Sequence, residues 1–146
     1  MLNAIISIHP GHVSDIVNGS KTVEIRTRPV LLEVGSHLWI YATLPVGEIQ
    51  AVARVMETHR VSPTRAWLEF DDSIGLTRSE FRSYVNGSSL ISVIRLGKVV
   101  QLSEPLSLQR IRHSHRGFQP PQFLKHVENS EGVYKLLARA VPKLFK

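Results

Sequence analysis

Lys21, Glu24 and Arg26 concentrate more reactive chemistry than any other stretch of the sequence. They stand in Gly19-Ser20-Lys21-Thr22-Val23-Glu24-Ile25-Arg26, where an apolar helical face stops at glycine and an alternating strand begins. On an extended chain Glu24 and Arg26 share one side, about 6.6–6.8 Å apart along the strand, and Lys21 stands at its mouth. Cations so placed can clamp a phosphate, and the carboxylate can accept hydrogen bonds from the exocyclic amine of a base. Arg28 continues the same side. Tyr41, on a later strand, either lines such a cleft with its hydroxyl or is buried with Trp39. The same pattern also suits a solvated strand laced with salt bridges, each contributing little. Burial can lower a lysine's pKa and make it a base or nucleophile. Next to Glu24, however, the charged form of Lys21 is favoured, so it reads as an electrostatic anchor.

A second concentration of charge is Gln109-Arg110-Ile111-Arg112-His113-Ser114-His115-Arg116. Histidines beside arginines supply a base, an acid and a phosphate-binding cation, the groups that metal-free phosphodiester cleavage needs. On an extended segment His113 and His115 face one side, with Arg112 and Arg116 able to touch a phosphate backbone. The alternative is a solvated basic loop. No third ligand accompanies the histidine pair and its neighbours are cationic, so no metal site is expected, and no cofactor is implied. His9 and His12 flank the first helix and can face a ligand, though a structural role reads better. Trp67 can stack on a base or anchor its own helix.

The composition sets bounds on these readings. The chain has 146 residues, no cysteine, and a formal net charge of +6 from 18 basic and 12 acidic residues. One domain fits that length. Disulfides and thiolate chemistry are excluded. The basic balance favours a polyanionic partner. No apolar run approaches the roughly 18 residues a membrane span needs, and the first residues show no basic leader, so a cytoplasmic protein without a membrane partner is expected.

The elements that must position these residues follow from periodicity. Ala4–Ile8 reads as a buried strand, broken by His9-Pro10-Gly11. Val13, Ile16 and Val17 then form one helical face that stops at Gly19. Thr22–Arg28 alternates, with Val23 and Ile25 inward. His37–Thr43 is an interior strand, a turn covers Leu44–Gly47, and Glu48–Thr58 is a long strand. Ser62-Pro63 opens a short helix carrying Trp67, Leu68 and Phe70. Thr77-Arg78-Ser79-Glu80 is a capping box ahead of Phe81, Tyr84 and Val85. Leu90–Leu96 and Lys98–Leu102 are strands joined through Gly97, and 110–116 is irregular. Pro120-Pro121-Gln122 opens a short helix through Val127. Ser130 caps a last helix whose Val133, Leu136, Leu137 and Ala140 form a stripe, packed on the same domain or serving as a homodimer surface. Strands do not alternate with long helices, so a mainly β, mainly antiparallel barrel with inserted short helices is expected.

Four segments in this order resemble the ASCH family, relatives of the PUA, YTH and EVE domains. They are Ile6-Ser7-Ile8-His9-Pro10 with Gly19, Lys21, Glu24 and Arg26; Trp39-Ile40-Tyr41-Ala42 with Pro45-Val46-Gly47; Gly75-Leu76-Thr77 through Phe81, Tyr84 and Gly87; and Pro120-Pro121-Gln122. The likeness runs from about residue 3 to 127. It implies a PUA-like barrel over residues 1–128, with 129–146 as a helix packed on it. It also implies a cleft beside the first helix, an RNA or modified-nucleoside ligand, and a role in regulating transcription or translation.

One ASCH branch removes the acetyl group from N4-acetylcytidine with a lysine, a threonine three residues on, and a later glutamate. Lys21 matches the lysine. Glu24 occupies the threonine position, Thr22 lies one pleat away, and Ser73-Ile74-Gly75 holds no carboxylate. Other members cut RNA. The reading is therefore an RNA- or nucleotide-binding domain using Lys21, Glu24, Arg26, Arg28 and Tyr41, with Arg112 and Arg116 in support. A small hydrolase, with Lys21 and Glu24 catalytic, is the alternative.

Overall fold

In the computed structural model, which describes residues 2–129 and 131–145, two strands are buried on both faces. These are β1 (Asn3–Ile8) and, after helix α1 (Pro10–Asn18) and strand β2 (Val23–Arg26), β3 (His37–Ala42). The chain continues through β4 (Glu48–Val61), α2 (Pro63–Phe70), α3 (Arg78–Val85), β5 (Ile91–Ser107), α4 (Leu108–Ser114), β6 (Leu124–Val127) and α5 (Gly132–Ala140), and ends in a 3₁₀ turn, Pro142–Phe145. The six strands form one curled sheet in the order β2-β5-β4-β3-β1-β6. Only β1 and β3 run parallel; the other pairings are antiparallel. This mixed α/β half-barrel agrees with the expected fold class.

Because side chains alternate along a strand, β1 and β3 supply two separate cores. Ala4, Ile6 and Ile8 join Leu38, Ile40 and Ala42 under α1, whose Val13 and Ile16 are buried against them. Ile5, Trp39 and Tyr41 face the other way, against Ile111 of α4, Phe118, and Val133, Leu136 and Leu137 of α5. The stripe read on the last helix is therefore buried in the chain's own core. A third cluster joins Val23 and Ile25 of β2 to Ala66, Ile74, Phe81 and Val93.

Local chemistry explains the helix limits. His9 caps α1 through its ring nitrogen, Pro10 starts it, and Gly19 ends it in the left-handed region at φ 88°. Ser62 caps α2, and Thr77 and Glu80 form a reciprocal capping box on α3. Three expectations need correction. Residues 110–116 are not extended: Ser107 caps α4, which runs to Ser114. Residues 124–127 form strand β6 paired with β1, not a helix. The two strands expected around Gly97 are one, β5, and a Cβ at Gly97 would meet the Met56 side chain at 2.6 Å. The expected cap Ser130 lies outside the described residues.

Candidate functional site

The join between α1 and β2 is built around a buried lysine. Gly19 turns the chain out of α1, and Lys21 follows at only 2% exposure. Its ammonium donates to the carbonyls of Val23 (2.9 Å) and Ile74, and lies 3.2 Å from Glu24 Oε1. An ammonium has three protons, so all of its donors are spent inside the protein. Gly75 makes room for the lysine stem: it sits at φ 76°, and a Cβ there would approach the Lys21 chain to 3.1 Å. The loop before Gly75 is tied to β2 by hydrogen bonds from the Thr22 and Val23 amides to Ser73 O.

Glu24 is buried on the face the alternation assigned to polar residues. Its Oε2 accepts from Arg26 Nη2 at 2.8 Å. Burial alone would push this carboxyl up. Attraction to Lys21, then to Arg26, together with their hydrogen bonds, outweighs burial and holds it below the ordinary carboxylate range. Glu24 is therefore an anion at neutral pH, and its carboxylate joins two cations.

Arg26 also laces the sheet's open seam. The two edge strands, β2 and β6, are not neighbours in the ladder. Across that gap Arg26 Nη2 donates to Ser7 O of β1 at 2.8 Å, and the guanidinium lies 5.0 Å from the centre of the Phe123 ring, just before β6. Both Nη2 protons are thereby used. The rest of the guanidinium borders two pockets that share Arg26 and Tyr84 as a common wall.

The inner pocket, about 240 Å³, is lined by His9, His12, Lys21, Glu24, Arg26 and Glu80, among others. The outer pocket, about 230 Å³, is lined by Arg26, Thr27, Arg28, Tyr84, Gln122 and Phe123. Each is smaller than the roughly 300–1,000 Å³ of a drug-sized site and suits one fragment, such as a base or a phosphate. His12 lines this pocket, but its Nδ1 is itself buried, with no hydrogen-bond partner among the described residues. The His9 ring lies 5.9 Å away, with its Nδ1 occupied by the Gly11 amide. Glu80 on the rim is held below the ordinary carboxylate range, chiefly by the Thr77 backbone and hydroxyl. Burial, and then Glu24, push the Tyr84 phenol up against the pull of Arg26, so it stays a neutral hydroxyl.

The structure thus brings Lys21, Glu24 and Arg26 together in one pocket and places Arg28 in the adjoining one. Tyr41 lines neither. It is 2% exposed in the second core, its hydroxyl has no hydrogen-bond partner, and burial pushes its phenol up despite Arg112. Arg112 donates to Phe118 O at 2.9 Å and Arg116 is exposed beyond α4; neither lines the two pockets. His113 lies in α4 and His115 is its C-cap. The segment is therefore not extended, and the alternation expected to put both rings on one side does not apply. Among the described residues no group of three or more His, Cys, Asp or Glu is placed to hold a metal ion. No described helix is long and apolar enough to cross a membrane. The pocket residues the sequence reading passed over are Glu80, Tyr84 and Phe123. The first two stand four apart on one face of α3, a spacing that marks them as a pair.

A curled half-barrel with a charged pocket where the opening helix meets the next strand defines a PUA-like domain. Comparison with known proteins narrows the class. The family described as a domain of unknown function, DUF365, matches residues 4–114. A relative named ASCH domain-containing ribonuclease, from Zymomonas mobilis subsp. mobilis, is 30% identical over 128 residues, covering 88% of this chain and 86% of its own. The crystal structure of ASCH from Zymomonas mobilis superposes with a TM-score of 0.86 at 29% identity, covering 93% of this chain and 94% of that one. A hypothetical protein from Leishmania major, at 12% identity and a TM-score of 0.58 over 98% of this chain and 97% of that one, shares the fold alone. The chain belongs to the ASCH domain family, and its residues 4–114 match the family DUF365.

Proposed function

We propose that this chain binds single-stranded RNA, seating one nucleotide across the paired pockets of the seam. The observation that carries this reading is the division of labour at Arg26. The inner pocket presents the Glu24 carboxylate, a group that can read the edge of a base. The outer pocket presents Arg28 and the free part of Arg26, groups that meet a phosphate. The net charge of +6 and the ribonuclease name of the Zymomonas relative point the same way.

Fluorescence anisotropy with a labelled RNA oligonucleotide at two salt concentrations tests it. Arg28→Ala should lower the slope of log affinity against log salt by about 0.7, one single-strand phosphate contact. Arg26→Ala should weaken binding by about tenfold or more, because it removes both a cation and the brace on Glu24. Affinity unchanged by both substitutions would remove the seam from the account.

A second reading, RNA cleavage, is favoured by His12. The His12 ring lines the inner pocket beside Arg26, so an imidazole stands where a base for an attacking 2′-hydroxyl is needed and a guanidinium where the phosphate charge would lie. Gel analysis of the same mixtures distinguishes it: His12→Gln should abolish cleavage and keep binding within about twofold. Acyl-nucleoside hydrolysis is disfavoured. The three donors of Lys21 are spent, and Thr22, the hydroxyl one pleat from the position of the expected nucleophile, is exposed and lines neither pocket.

A further inference from the structure

Helix α3 is a wall between two concavities. Glu80 and Tyr84 line the inner pocket. Arg78 and Arg82, also four apart, line a different pocket of about 330 Å³ between α2 and α3, together with Trp67, Leu68, Phe81 and Asp71. Each member of the first pair lies two residues from a member of the second, roughly 200° around the helix. The two surfaces are therefore opposite faces of one short helix. Both arginines are exposed, and neither side chain makes an ion pair or hydrogen bond with a described residue. Trp67 is half-buried, its ring centre 5.0 Å from that of Phe81, so the indole is fixed in place while still bordering the cavity.

A fixed indole beside two free guanidinium groups is the pairing that single-stranded nucleic acid uses: a base stacks on the ring and cations meet the flanking phosphates. The carboxylate of Asp71, at the end of α2, repels a phosphate from that side and leaves the arginine side for the backbone. We infer that the α2–α3 pocket is a second nucleotide subsite, in which Trp67 stacks a base and Arg78 and Arg82 hold its phosphates. It rests on the seam pocket's being the first subsite of the same RNA. A helix is about 10–12 Å across and a stacked strand advances about 3.4 Å per nucleotide, so roughly three to four nucleotides bridge the two.

Intrinsic fluorescence reads this directly. The chain has two tryptophans, and Trp39 is fully buried, so quenching by an added oligonucleotide reports Trp67. A ribonucleoside monophosphate should bind without quenching, and an oligonucleotide of about six residues should quench. Trp67→Phe should abolish the signal while largely keeping affinity. Arg78→Gln/Arg82→Gln, with melting temperature checked against wild type, should weaken the six-residue oligonucleotide by about tenfold and leave the monophosphate unchanged. A six-residue oligonucleotide that binds without quenching, or binds the double variant as tightly as wild type, overturns the second subsite and leaves the seam pocket standing. Failure of every RNA to bind overturns both.

Discussion

Two regions of this chain look alike as sequence and differ in kind as structure. Both Lys21-Thr22-Val23-Glu24-Ile25-Arg26 and Arg110–Arg116 are short, basic and interspersed with apolar residues. In the first, the charges are taken out of water and joined: Lys21 is 2% exposed, and Glu24 lies between it and Arg26. In the second, Ile111 alone is fully buried, while Arg110 reaches a glutamate, Arg112 a backbone carbonyl and a glutamine, and Arg116 is exposed. Burial decides the worth of a charge. A pair in water contributes little, whereas a partner withdrawn from a buried pair leaves an uncompensated charge in a poorly solvating place.

The largest test of that contrast is Lys21→Ala. It strands the Glu24 carboxylate and two buried carbonyls, and should cost about 3–5 kcal/mol of unfolding free energy in a urea titration. A cost below about 1 kcal/mol would mean that water reaches the triad.

Next in size is the acid limb of stability. The folded carboxyl of Glu24 is held below its unfolded value. Its contribution is therefore fully present above the ordinary carboxylate range and is lost as pH falls through the lowered folded value. Glu24→Gln should lower stability by about 1–3 kcal/mol at neutral pH and flatten the decline below the carboxylate range. A mutant whose acid decline parallels that of wild type would place the sensitivity elsewhere.

The smallest effects belong to the other region. Arg112→Ala should cost about 1 kcal/mol through its bond to Phe118 O, and Arg116→Ala should stay within about 0.5 kcal/mol. If either changed RNA affinity as much as Arg26→Ala does, the contrast between the two regions would fail for function.

Much of the frame was legible because it rests on local rules. The limits of α1, α2 and α3 follow from Pro10, Gly19, Ser62 and the Thr77–Glu80 box, all of which act within one turn. The coincidence of Lys21, Glu24 and Arg26 followed from spacing and from the family resemblance. Their burial did not, because it depends on a loop more than fifty residues away that delivers Ile74 O and Gly75 to the lysine. The strand at β6 was illegible for the same reason: four residues after a proline pair become a strand only because β1 offers an edge. The helix at α4 carried a signal that was passed over, namely Ser107 as a cap with Leu108 and Ile111 three apart, overshadowed by the density of charge around it. For Tyr41 the sequence holds two opposed signals, a hydroxyl that suits the cleft and a parity with Trp39 that suits burial, and the structure has it on the covered face.

The position of β1 also governs how this chain can be assembled. It lies between β3 and β6, with Asn3 opposite Val127, so a strand near the start of the chain is completed by one near its end. Its outer ladder of amides and carbonyls, beside Ile5 and Ile6, stays unpaired until the segment at Leu124–Val127 docks. Such distant pairing slows folding, and an unpaired edge of this kind recruits other chains. A fragment ending before Leu124 would keep that edge open and should aggregate more than the full sequence under the same conditions.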